Sequence, residues 1–261
     1  MLLGQVQVLQ FVGAAFVFLA LRLFDRGQKK SNGWTGLSVA AGVTGITATM
    51  VFQYIAFSYG PIAEVNLIAY SWPLVIAFCL VSIGAASRPI VTGLLALAGF
   101  VGVALIVDPL KDQSGAQGIG LGHLAAMASA FAMAGYSLII NRYQINQLDA
   151  HIAGSIVGAG LALVWCLLTT PSWNTDLTAN LMAFYLGAGP IGVGYYFWAR
   201  AMASKHVERV AIVGFLTPVF STLLLVVSGE ALSFMAIVGC AIVVGACVWI
   251  SALEQEPAHD A

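Results

Sequence analysis

Residues 52–84 read FQYIAFSYGPIAEVNLIAYSWPLVIAFCLVSIG, and residues 197–229 read FWARAMASKHVERVAIVGFLTPVFSTLLLVVSG. Setting Pro73 on Pro218 pairs Phe52 with Phe197, Ala56 with Ala201, Val65 with Val210, Leu80 with Leu225 and Gly84 with Gly229. After a one-residue shift, Gly93 and Gly99 fall on Gly239 and Gly245. The chain therefore reads as two related halves, 1–111 and 112–261. Each quoted stretch is apolar enough for lipid, yet the first keeps Glu64, Asn66, Tyr70, Trp72 and Pro73 inside it. The reason for those residues is the question that decides the function.

The wider composition agrees with a lipid setting. Of 261 residues, 60% are hydrophobic and only 8% charged, too few charges to cover a water-exposed surface. The basic residues are scattered between apolar runs, which excludes a nucleic-acid surface. Cys79, Cys166, Cys240 and Cys247 all fall inside apolar runs without metal-ligand spacing, and read as small core residues. His123, His151, His206 and His259 stand at span edges and in the tail and suggest no metal centre. Nothing calls for a cofactor. The opening MLLGQVQVLQFVGAAFVFLALRLFDR carries its basic residues after the apolar run and shows no cleavage pattern, so it is read as a retained span and not as a signal peptide.

A helix needs about 20 mostly apolar residues to cross a bilayer. Turn-rich breaks such as Ser58–Pro61, Gly84–Pro89, Asp108–Gly118 and Thr169–Asp176 divide the chain into nine such spans. The expected bounds are 6–23, 34–57, 62–84, 89–107, 119–141, 150–170, 177–202, 207–228 and 233–253. Alternate connections collect Arg22, Arg26, Lys29 and Lys30, then Arg88, then Arg142, then Arg200, Lys205 and Arg209, while Lys111 alone lies on the other side. Because basic residues are held in the cytoplasm, this partition puts the C-terminus inside and the N-terminus outside. It also puts the turn before Glu64 outside and the turn before Arg209 inside. The two halves thus run through the membrane in opposite directions, an architecture of carriers that work around a midplane site. The second half offers five spans and the first four, which points to an absent leading helix.

The duplicated pattern with its paired proline helices and the ending SGEALS (Ser228–Ser233) resembles the EamA-type branch of the drug/metabolite transporter superfamily over essentially the whole chain. Within it, AEVNLIAYSWPLVIAF, ASAFAMAGYSLIINRY (Ala128–Tyr143) and VGFLTPVFSTLL (Val213–Leu224) are most similar to bacterial aromatic-amino-acid exporters. The resemblance implies an all-α polytopic protein of the bacterial inner membrane, with inverted five-helix repeats around a central cavity, ten helices and both termini cytoplasmic. This sequence departs from it by the missing first helix. The first half has Ala85 where the second has Glu230, so an acidic residue at that position is not required in both repeats.

Polar groups inside lipid need a partner or water and usually face the interior. By helical spacing Asn66, Tyr70, Pro73 and Leu74 share one face, a candidate cavity lining. Pro73 and Pro218 are expected to bend their helices, freeing a carbonyl near Ala69 in the first; a packing kink without ligand contact is the bland alternative. Tyr70 and Trp72 lie deeper than an interfacial aromatic belt should, which favours the cavity. Glu64 reads as a cap at the outer helix end, with proton coupling as the other reading. In GAGPIGVGYYFWARAM (Gly187–Met202), four glycines around Pro190 mark a bent helix, and Tyr195 with Trp198 is the pair chosen to line a cavity. Gln53 aligns with Trp198 and could hydrogen-bond substrate. Tyr136 and Ser137 are further candidates, and Asn141 reads as a helix-end cap. GSIVG (Gly154–Gly158) reads as internal small-residue packing, with a dimer face as the alternative.

Aromatic walls and a few uncharged polar groups suit a zwitterionic amino acid, with "aromatic" resting on the resemblance. The expected function is a membrane carrier exporting aromatic or hydrophobic amino acids by alternating access. An exporter of drugs or other metabolites with the same fold is the alternative, and an intramembrane enzyme a remote one, since no nucleophile and base or metal set is visible. With Glu64 and Glu230 near span ends, facilitated export and proton antiport both fit.

Overall fold

The structure is a computed structural model that describes residues 3–24, 34–107, 119–143, 145–169, 173, 175–229 and 233–252. Arg26, Lys29, Lys30, Lys111, Glu230, His259 and the polar tail after Leu253, all used above, lie outside those residues. Nine helical rods run through the described residues, with no strand among them. They are α1 (Leu3–Phe24), α2 (Gly36–Tyr59), α3 (Ile62–Ser82), α4 (Pro89–Val107), α5 (Leu121–Arg142), α6 (Gln147–Thr169), α7 (177–202), α8 (207–227) and α9 (Phe234–Ala252). All nine fall within a few residues of the expected spans. Eight are long and apolar enough to cross a membrane, so this is a multi-pass membrane protein. The ninth, α7, is lowered in hydropathy by its glycines, tyrosines and tryptophan.

The helix bounds themselves repeat. Pro89–Val107 and Phe234–Ala252 lie 145 apart (234 less 89), and the same shift carries α3 onto α8, and α1 onto α6 to within one residue. Even the exits match. Gly84 after α3 and Gly229 after α8 have φ of 67° and 93°, a left-handed conformation that glycine adopts without a Cβ clash. At the first exit the Ala85 N–H returns to the Leu80 carbonyl at 2.9 Å, satisfying one of the carbonyls that a helix end leaves open.

Both proline helices are interrupted in the turn before the proline. The first half of α3 stops at Ala69 and the second starts at Trp72, with the Ser71 N–H donating three residues back to Ile68. Pro73 sits in the first turn of the second piece, where a missing N–H leaves no intrahelical bond unmade. In α8 the break falls at Gly214 and Phe215, and Pro218 occupies the first turn after it. Pro73 and Pro218 are both buried.

The described residues group into two compact units, each drawn from both halves of the sequence. The first unit holds α1, α2 as far as Tyr54, α5 from Gly135, α6 and α7. Here α1 lies along α6, on a core that includes Phe11, Phe18, Ile46, Met50 and Ile152. Helix α2 crosses α6 with backbones touching: a Cβ added at Gly154 would fall on the Gly42 carbonyl, and the Thr47 hydroxyl donates to the Gly154 carbonyl at 2.7 Å. Gly158 faces the Phe11 ring, so the GSIVG glycines pack inside this unit.

The second unit holds the end of α2, α3, α4, α5 to Ala134, α8 and α9. In it α4 lies on α9, with Gly102 and Gly239 in backbone contact over a core of Val103, Ile212, Phe215, Val243 and Ile250. The Phe215 ring, at the break in α8, fills the space above Gly99.

Candidate functional site

The sequence-selected residues divide between the units. In the first unit, α2 carries Gln53 and α7 carries Tyr195 and Trp198, all half-buried. Trp198 Nε1 donates to the Ser137 hydroxyl on α5 at 3.0 Å, which orients the indole. The neighbouring Tyr136 is fully enclosed: its ring fills the space that a side chain at Gly45 would occupy, and its hydroxyl hydrogen-bonds to Nε2 of His151. Tyr136 is therefore a support beneath the other aromatics. Its ring centroid lies 5.8 Å from that of Tyr195, and the His151 ring packs 4.6 Å from that of Phe18. Tyr54, next to Gln53, donates from its hydroxyl to Gln10 of α1 at 2.6 Å.

Two rods of this unit contain a π-helical segment, Val43–Ala48 in α2 and Gly187–Val193 in α7. Pro190 stands inside the second and is exposed. Such segments are rare and cluster at functional sites.

In the second unit, Asn66, Tyr70 and Trp72 surround the break in α3 and are half-buried. The Trp72 ring packs on Gly214, at the matching break in α8. Tyr70 packs with Leu67 and Leu74 on the core of this unit. Among the described residues, the side-chain polar groups of Gln53, Asn66 and Tyr70 form no hydrogen bond. All three lie within spanning helices, where hydrocarbon offers no substitute partner.

Two charged groups that the sequence left unassigned, Asp149 and Glu208, are anchors, and Glu64, read above as a helix-end cap or a proton-coupling group, also has a partner. Asp149, fully buried at the start of α6, pairs with Arg22 at the end of α1. Glu208 of α8 is also buried and accepts from the Ser87 N–H at 2.9 Å, pinning the turn between α3 and α4. Glu64 is held by His123 of α5 at 2.9 Å. The His123 Nδ1 accepts from the Gly120 N–H at 3.2 Å, so the proton on the neutral ring sits on Nε2 and is donated to Glu64. Asn141 donates to the Met202 carbonyl at 3.0 Å, tying α5 to the end of α7. His151 was the other miss. Its position near a span end suggested an edge residue, and only its contact with Tyr136 shows otherwise. Among the described residues, no three His, Cys, Asp or Glu side chains gather in a way that could hold a metal.

Comparison with known proteins fits this architecture. Residues 120–252 match the EamA-like transporter family. Over 208 residues, 78% of this chain and 72% of the relative, the sequence is 32% identical to the aromatic amino acid exporter YddG of Ancylobacter novellus. A solved crystal structure superposes with a TM-score of 0.81 at 28% identity, covering 97% of this chain and 90% of that one. Nine helical rods, eight of them long and apolar enough to cross a membrane, and these matches carry one conclusion: the chain belongs to the EamA-like transporter family.

Proposed function

We propose that the chain is a carrier that exports aromatic or hydrophobic amino acids by alternating access, exposing its binding groups first to one side of the membrane and then to the other. Gln53, Tyr195 and Trp198 in the first unit, and Asn66, Tyr70 and Trp72 in the second, are the proposed substrate contacts. Tyr136 supports Tyr195 from behind, and the breaks near Pro73, Pro190 and Pro218 give the helices their freedom to move. The two sequence halves, 1–111 and 112–261, act as inverted repeats, with the C-terminus in the cytoplasm.

The observation that carries this reading is the set of three half-buried polar groups, Gln53, Asn66 and Tyr70, without a hydrogen-bond partner among the described residues. An amide moved from water into an apolar medium without a partner costs on the order of 2–7 kcal/mol. Groups of that kind inside a spanning helix are expected to meet water or a polar ligand. All three are uncharged, which suits a zwitterion, and the aromatic faces of Trp72, Tyr195 and Trp198 suit an apolar side chain. The choice of aromatic substrates leans on the name of the 32% identical relative.

The test is uptake of labelled tryptophan, phenylalanine and leucine into proteoliposomes, for wild type, Gln53→Ala and Tyr70→Ala, with and without a pH gradient. Saturable flux that prefers the aromatic substrates and is lost in both variants is the expected result. No flux for any of the three would move the substrate to drugs or other metabolites, and wild-type flux in both variants would remove these residues from the site.

A further inference from the structure

The buried face of α1 carries three glutamines, and they are not used alike. Gln5 donates to Asn180 of α7 at 2.8 Å. Gln10 accepts the Tyr54 hydroxyl of α2 through Oε1 at 2.6 Å, a length that suits O–H···O and is short for N–H···O. That bond fixes which way the amide faces. The two N–H groups of Gln10 Nε2 are turned from Tyr54, and among the described residues they have no acceptor. Gln7, three residues earlier on the same helix face, forms no side-chain hydrogen bond among the described residues. Both side chains are nearly enclosed, 6% exposed at Gln7 and 4% at Gln10. Neither amide belongs to the fully enclosed unpaired atoms, so the exposure that remains reaches their polar ends.

The position of Gln10 is set from two sides. Its backbone lies against α7 where the π segment begins, since a Cβ added at Gly187 would fall on the Gln10 carbonyl. Its side chain is tied to Tyr54, whose neighbour in α2 is the unpaired Gln53. With Oε1 taken, Gln10 can only donate to a ligand, and a donor inside a spanning helix finds no partner in hydrocarbon. A carboxylate is the matching acceptor, because hydrogen bonds to an ionised group are roughly twice as strong as neutral ones. Neutral amides also leave no unpaired buried charge behind when the ligand departs. We propose that Gln10, with Gln7 beside it, holds the carboxylate of the transported amino acid. This rests on the carrier reading above and adds to it the end of the substrate that α1 recognises.

Equilibrium dialysis against the full chain in lipid nanodiscs, with empty nanodiscs as the baseline, tests this with three labelled indoles. They are tryptophan, indolepropionate, which keeps the carboxylate without the amine, and tryptamine, which keeps the amine without the carboxylate. Wild type is expected to bind the two carboxylates more tightly than tryptamine. Gln10→Leu should weaken tryptophan and indolepropionate roughly ten-fold or more and leave tryptamine within about two-fold. Gln7→Leu should act in the same direction by several-fold. Gln10→Glu, which sets one carboxylate against another, should cost tryptophan more than Gln10→Leu does and spare tryptamine. If Gln10→Leu does not fold, Tyr54→Phe keeps the glutamine but frees its amide to turn, and should weaken the two carboxylates several-fold and not tryptamine. An equal loss for tryptamine would make Gln10 a support of the fold, and wild-type binding in the Gln10 variants would remove it from the site; either result overturns the proposal. Wild type that binds indolepropionate through Gln10 but no tryptophan would overturn the amino-acid reading and leave the carboxylate site standing. Wild type that binds none of the three would overturn both.

Discussion

The contact between Tyr136 and His151 gives a quantitative test of how the first unit is held together. Both side chains are fully buried, and they hydrogen-bond to each other. His151 Nδ1 has no hydrogen-bond partner among the described residues, so the bond to Tyr136 is the one polar contact of the imidazole there. Tyr136→Phe strands Nε2, at a cost of about 1–3 kcal/mol for a buried unsatisfied group. His151→Leu, close in volume, strands the tyrosine hydroxyl at a similar cost of about 1–3 kcal/mol. Replacing both removes donor and acceptor together and should cost much less than the sum, giving a coupling energy of about 1–3 kcal/mol between the two positions. Reversible unfolding of the four proteins in mixed micelles measures the cycle. Additive single-variant losses would refute the reasoning, because they would mean that each side chain finds another partner when its neighbour is removed.

Glycine positions provide a matched pair of outcomes. Gly154→Ala places a Cβ on the Gly42 backbone and should sharply lower the yield of folded protein, whereas Gly160→Ala, with open space around it, should leave thermal stability unchanged. At the other unit, Glu208→Ala strands the Ser87 N–H and should make the turn at 84–88 more accessible to limited proteolysis, with a stability loss of about 1–3 kcal/mol. Unchanged cleavage at that turn would mean that Glu208 does not hold it.

The nine rods were legible because apolar length and turn chemistry suffice to mark a span, and α4 was placed to the residue. The pairing of Pro73 with Pro218 was legible because the two halves keep enough of their spacing to align. Facing was harder. Hydropathy does not say which neighbour a helix side meets, so Tyr136 read as a cavity residue although its ring is sealed against Gly45 and its hydroxyl is taken by His151. Asp149 and Glu208 went unremarked because their partners, Arg22 and the Ser87 N–H, are distant in the chain. Pro73 was expected to bend one helix and free a carbonyl near Ala69; in the structure α3 is interrupted at Tyr70 and Ser71, and the proline begins a new helix instead of bending an old one. The glycines around Pro190 marked an irregularity at Gly187–Val193, but no residue pattern marked the π segment Val43–Ala48; the first lies on α1 and the second on α6.

That crossed packing has a consequence for how the protein is made. Helix α1 buries Gln5, Gln7 and Gln10, with Gln5 bonded to Asn180 and Gln10 to Tyr54, and its neighbour α6 begins 123 residues after α1 ends (147 less 24). At a synthesis rate of about 5–20 residues per second, α1 waits about 6–25 s for that partner. Gln10 can meet Tyr54 of α2 about 30 residues after α1 ends (54 less 24), but Gln5 has to wait beyond α6 for Asn180 of α7. The ribosome-bound chain thus needs a polar shelter for α1, and a stalled nascent chain ending before Asn180 should be retained at the insertion site instead of released into the bilayer.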